Sequence, residues 1–156
     1  MPDDVATIRM ILEVAFGRSA EAQLVDDLRS ASDSVFSLVA VDDGIAAGHV
    51  LFSRMKAPFP ALALGPVAVL QEYRQAGFAS RLIRQGIARS EADGWRGIFV
   101  LGDPAFYRRF GFDAAKASGF TSPYAGPHLM ALPLGGSELP TSAGVIQHAP
   151  AFAKLG

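Results

Sequence analysis

Apolar residues along this chain keep helical spacing at first, alternate as in strands through the middle, and return to helical spacing near residue 77. Val5, Ile8, Leu12, Ala15 and Phe16 share one face of a 3.6-residue period, which predicts a helix capped by Asp3 or Asp4 and ended by Gly17. Ser19 caps a second predicted helix running to Arg29, with Ala22, Val25 and Leu28 turned inward. Residues 35–41 read as a strand, Asp42-Asp43-Gly44 as a hairpin turn, and residues 45–55 as the return strand with Gly48 inside it. Lys56-Ala57-Pro58-Phe59-Pro60 then leads into a strand over 61–69.

In the second half, a helix is predicted over 77–93. Ala79, Leu82, Ile83, Gly86, Ile87 and Ser90 form its buried stripe, and Arg81, Arg84, Gln85 and Arg89 its wet side. A strand over 96–101 follows, so strand, helix and strand make a right-handed crossover with a parallel pair. Asp103 before Pro104 is an N-cap with proline at the first helical position, which starts a short helix over 104–109; Gly111 can end it. A late strand is expected over 128–132. From Pro133 the chain is rich in Gly, Pro, Ser and Ala, an irregular segment over 133–156 with room for one short strand at 145–148.

Composition narrows the class of protein. A chain of 156 residues, half of them hydrophobic and 19% charged, suits one folded domain over 1–156 with a real core. The net charge of −1 disfavours nucleic acid as a partner. No apolar run approaches the ~20 residues that span a bilayer, and Met1-Pro2-Asp3-Asp4 lacks the basic start of a secretory signal. The absence of cysteine removes disulfides, thiolate metal sites and a thiol nucleophile together. A cytoplasmic protein without a membrane partner or a metal is expected.

Candidate chemistry gathers where the strand over 61–69 meets the helix over 77–93. Arg74-Gln75-Ala76-Gly77-Phe78-Ala79-Ser80 forms a short turn of mostly small residues, and the N-terminus of the helix behind it offers free N–H donors to an anion. Three stretches then carry a resemblance. Leu64-Gly65-Pro66-Val67-Ala68-Val69, the pattern Arg74-x-x-Gly77-x-Ala79, and Gly102-Asp103-Pro104-Ala105-Phe106-Tyr107 with the terminal Gly111-Phe112 occur in order. Together they resemble the GNAT superfamily of acyl-CoA N-acyltransferases, in its branch of small bacterial N-acetyltransferases.

The resemblance implies an α/β (α+β) fold with a mixed, mostly antiparallel central sheet, helices on both faces and a splayed parallel strand pair. It implies acetyl-CoA or CoA as co-substrate, with Val67, Ala68 and Val69 along the pantetheine arm and Arg74, Gln75, Ala76, Gly77, Phe78, Ala79 and Ser80 around the pyrophosphate. Tyr107, four residues before Gly111, takes the place of the family's general acid, which protonates the departing thiolate. The acceptor implied is a primary amine of a small molecule or peptide, and a homodimer is left open. Relatives begin with a strand ahead of the first helix; this sequence starts almost at the helix, so that edge strand is expected to be missing.

Two points stay open in the sequence itself. Gly65-Pro66 inside a strand removes a ladder donor and marks either a bulge where strands part or an ordinary edge irregularity. The general base has no clear owner, because residues 61–69 contain no carboxylate. His49 reads more readily as a structural histidine, Asp103 as a helix cap, His128 and His148 fall in weakly constrained segments, and a water chain is a further candidate. Phe16, Phe59 and Tyr124 are candidates for the acceptor side, but each taken singly reads more readily as a core or loop packing residue. Two rival readings follow: a non-catalytic acyl-CoA-binding or sensing domain, favoured by the absent carboxylate, and a nucleotide-binding module, disfavoured by the lack of a P-loop or dinucleotide fingerprint.

Overall fold

The computed structural model describes residues 2–16, 20–30, 33–71, 73 and 77–154. In chain order these form α1 (Pro2–Phe16), α2 (Ala20–Ser30), β1 (Ser34–Asp42), β2 (Ile45–Arg54), β3 (Ala61–Val69), α3 (Phe78–Ala92), β4 (Gly97–Leu101), α4 (Pro104–Tyr107), α5 (Ala114–Ala117), β5 (Phe120–Thr121), β6 (Leu129–Pro133) and β7 (Gly144–Val145). Five strands make a mixed sheet in the order β1-β2-β3-β4-β6, and β5 with β7 makes a two-stranded parallel sheet. The β1–β2 and β4–β6 pairs are antiparallel and the β3–β4 pair is parallel, the mixed sheet that the sequence predicts. Among the described residues no helix is long and apolar enough to cross a membrane.

The parallel register runs from Ala61↔Gly97 to Leu64↔Val100 and ends there. Gly65 follows at φ +143, a conformation that L side chains rarely adopt, and Pro66 brings no N–H. The chain divides at this same point into two compact units. One comprises residues 1–53, 66–86 and 150–156; the other comprises residues 54–65 and 87–149.

In the first unit, β2 presents its two faces to different helices. Gly48 lies against α3, where a Cβ would meet Leu82 Cδ1 at 3.2 Å and the Ala68 carbonyl oxygen of β3 at 3.1 Å. Phe52 is on the same side; it stacks on Phe36 with ring centroids 4.6 Å apart, and a Cβ at Gly86 of α3 would stand 2.2 Å from its Cε2. The glycine is there so that helix and ring can touch. On the other face of β2 are His49, Leu51 and Ser53, all buried. Arg29 of α2 donates to the Ser37 hydroxyl of β1 at 3.4 Å, and Ser37 pairs with Leu51, so α2 covers this side. Arg9 of α1 bridges Glu13 at 3.0 Å and also pairs with Asp26 of α2.

In the second unit, β4 is buried from Gly97 to Val100. Phe59, Phe99 and Phe120 cluster beside it, with centroid separations of 6.3, 5.9 and 5.3 Å. Phe59 is therefore core, and the packing reading of that residue holds. The segment after Pro133 is less irregular than its composition suggests: Leu134, Ile146 and Ala149 are buried, and Gln147 bridges to Lys56. Of the short strand expected at 145–148 only Val145 lies in one, Gly144–Val145, paired with Phe120–Thr121, while α5 and β5 are elements that the apolar pattern does not reveal.

Candidate functional site

The first turn of α3 is fixed by packing on one side and left open on the other. Phe78 is buried with Ala47 of β2 and Val69 of β3, and Tyr73 and Ala79 pack against that cluster. Tyr73 meets the Phe78 ring edge-on at 5.6 Å, and the Arg81 guanidinium lies 4.7 Å over the same ring. Leu70 N–H donates to the Ala47 carbonyl at 2.8 Å, which ties the end of β3 to β2. The Phe78 side chain is thus an anchor, and only its backbone is left for a ligand.

Gly77 enters the helix at φ +80, exposed, with nothing among the described residues within 4 Å of where a Cβ would stand. The bond from Arg81 N–H to the Gly77 carbonyl, 3.0 Å long, closes the first helical turn, so the N–H groups of Phe78, Ala79 and Ser80 precede it. In a helix of 15 residues this end carries a partial positive charge. Arg74, Gln75 and Ala76, expected in the same loop, lie outside the described residues. Of the β3 candidates, Val67 is half-buried while Ala68 and Val69 are buried.

Tyr107 ends α4 in the other unit. The expected cap is present: the Asp103 carboxylate accepts the Ala105 N–H at 2.9 Å, Pro104 takes the first helical position, and Gly111 stops the following 3-10 turn at φ +99. The Tyr107 ring is half-buried among Phe106 and Phe112, met edge-on at 5.0 and 5.9 Å. It also lies against Gly102, where a Cβ would stand 2.4 Å from its Cε2. Burial pushes the phenol above the ordinary tyrosine range, so the hydroxyl holds its proton at neutral pH.

The histidines differ in kind. His49 is fully buried, neither ring nitrogen has a hydrogen-bond partner among the described residues, and burial, aided by the Arg29 charge, brings its pKa down to about 3. His148 packs edge-on against Tyr124 at 5.0 Å, and burial lowers its pKa to about 4. His128 is exposed just before β6, with Nδ1 3.1 Å from the Gly102 carbonyl oxygen, a contact across 26 residues that no local pattern announces. Phe16 is 39% exposed on α1. Among the described residues no group of three or more His, Asp or Glu side chains gathers as a metal site would require.

Comparison with known proteins supplies the family context. The profile of the acetyltransferase (GNAT) family matches residues 5–112. The uncharacterized N-acetyltransferase YjhQ of Escherichia coli K12 is 38% identical over 133 residues, covering 80% of this chain and 73% of YjhQ. The crystal structure of the E. coli GNAT family N-acetyltransferase YhbS in complex with CoA superposes with a TM-score of 0.92 at 31% identity, over 100% of this chain and 90% of that one. A GNAT family acetyltransferase from Brucella melitensis, in complex with acetyl-CoA, superposes with a TM-score of 0.82 at 35% identity, over 97% and 94%.

Proposed function

The chain belongs to the acetyltransferase (GNAT) family, and on that premise we propose that it moves an acetyl group from acetyl-CoA to a primary amine by direct attack, with Tyr107 as general acid. The observation that carries the reading is the entry to α3: a left-handed Gly77 with open space around it, followed by N–H groups that precede the first helical bond. Such an end suits the pyrophosphate of CoA. Arg74, Gln75 and Ala76 complete this loop in the proposal. The backbone of Val67, Ala68 and Val69, on the stretch of β3 past the end of the parallel register, accompanies the amides of the pantetheine arm.

The acceptor loses one ammonium proton, and its nitrogen lone pair then attacks the thioester carbon. The oxyanion that forms is met by a backbone N–H of the Val67–Val69 stretch. Collapse re-forms the carbonyl and breaks the carbon–sulfur bond. Tyr107 gives its hydroxyl proton to the leaving thiolate and regains one from the new amide nitrogen. A phenol raised above pKa ~10 still protonates a thiolate of pKa ~8.5 once it is within hydrogen-bond reach, because the pair of transfers returns the tyrosine to its neutral form. The acceptor is a small-molecule or peptide amine.

Calorimetric titration with acetyl-CoA, CoA, ATP and NAD in one buffer tests the co-substrate. Selective micromolar binding of the two CoA species is expected, followed by thiol release in a panel of small amines and peptides. Folded protein that binds no CoA would overturn the reading; binding without transfer to any amine would favour an acyl-CoA sensor.

A further inference from the structure

Gly102 is hydrogen-bonded to His128 and lies beside the Tyr107 ring. The Gly102 N–H donates to the His128 carbonyl at 3.1 Å, and the His128 ring returns to the Gly102 carbonyl through Nδ1, also at 3.1 Å. A carbonyl oxygen only accepts, so Nδ1 carries the proton of the neutral ring and the lone pair sits on Nε2. A fixed acceptor on one nitrogen is how an imidazole is oriented to use the other. The Tyr107 ring takes the space that a Cβ on Gly102 would occupy.

The other two histidines and Asp103 are poorly suited to take a proton from a substrate. His49 is sealed from solvent, and His148 is held against Tyr124 with its basicity suppressed by burial. Asp103 is committed to its helix cap, and β3 has no carboxylate. His128 is the exposed histidine.

We propose that His128 is the general base of this acetyltransferase, its Nε2 taking the proton from the acceptor's ammonium group while Gly102 holds the ring and seats the acid Tyr107. The inference rests on the N-acetyltransferase reading given above. In the balance, R–NH3+ gives one proton to Nε2 and becomes R–NH2. Attack then forms the carbon–nitrogen bond and breaks the carbon–sulfur bond, leaving amide, thiol and imidazolium; the imidazolium returns its proton to water.

The test reads thiol release from acetyl-CoA with two probe nucleophiles: benzylamine, mostly protonated at neutral pH, and hydroxylamine, mostly unprotonated. His128→Ala is expected to lower kcat/KM with benzylamine about 10²-fold or more, the ordinary scale of general-base catalysis. The loss should shrink as pH rises and on addition of imidazole, with hydroxylamine rates and acetyl-CoA affinity within about twofold of the parent protein. His128→Gln, able to keep a bond to the Gly102 carbonyl without a base, should behave like the alanine variant. Equal losses with both nucleophiles, or no loss with benzylamine, would overturn the proposal. If Tyr107→Phe slows both nucleophiles and His128→Ala slows neither, the enzyme reading stands and the base assignment falls. Thiol release absent from the parent protein with both nucleophiles would overturn the two together.

Discussion

The Tyr107 ring fills the space that a side chain on Gly102 would need: a Cβ on Gly102 would stand 2.4 Å from Cε2 and 3.0 Å from Cδ2 of the tyrosine ring. Gly102 is not among the glycines at positive φ, so the requirement is room rather than backbone freedom. Gly102→Ala therefore displaces the ring without straining the backbone. Turnover is expected to fall about 10²-fold for a shift of the order of 1 Å, at a cost of about 1–3 kcal/mol in stability from overpacking. In a Tyr107→Phe background the same substitution should cost stability again but little further turnover. A double-mutant cycle on kcat checks this, and additive losses would show that the glycine acts elsewhere.

Tyr107→Phe keeps the ring and its edge-on contacts with Phe106 and Phe112 while removing the hydroxyl. The expected result is a kcat lower by about 10²-fold or more with acetyl-CoA affinity nearly unchanged. Lost affinity with unchanged kcat would reject the acid role. Because burial raises the pKa of this phenol, the parent enzyme should keep its acid through the mildly alkaline range.

Gly77 tests the phosphate loop from the other unit. Its φ of +80 with open space around it means that Gly77→Ala meets no neighbour and pays only for the left-handed backbone, about 1–2 kcal/mol. If the turn is the anion cradle, acetyl-CoA affinity should fall several-fold by calorimetry while a small drop in Tm accounts for the strain. Unchanged affinity would remove Gly77 from the binding loop.

Local rules carried the sequence reading further than tertiary ones. The α3 stripe, the Asp103-Pro104 start and the Gly111 stop were legible because each is written within a few residues, as a period, a cap or a left-handed glycine. The end of the parallel register at Leu64 was legible through Gly65-Pro66. The pairing of Phe120–Thr121 with Gly144–Val145 was not, since two-residue strands have no period to read. Phe59 reads as a packing residue in the sequence, but its partners, Phe99 and Phe120, are too distant in sequence to be named from it. The Gly102–His128 link stayed hidden for the same reason, and with it a candidate base.

Burial of His49 sets a final expectation, on stability against pH. The imidazole is fully buried on the α2 side of β2, opposite Val39 in register, without a hydrogen-bond partner among the described residues and within the field of Arg29. Its folded pKa of about 3 lies below the 6.5 of an ordinary histidine, so the unfolded chain binds the proton first as pH falls. The neutral ring's full contribution is present above pH ~6.5 and is lost progressively between there and the folded value. At pH 5 this one group is expected to remove about 2 kcal/mol, from 2.303RT per unit of pH below the unfolded pKa. His49→Leu, similar in size and apolar, should flatten that limb in urea denaturation between pH 7.5 and 5 while staying folded at pH 7.5. A parent protein whose unfolding free energy falls no more steeply than the variant's would show that His49 finds a proton acceptor inside the fold.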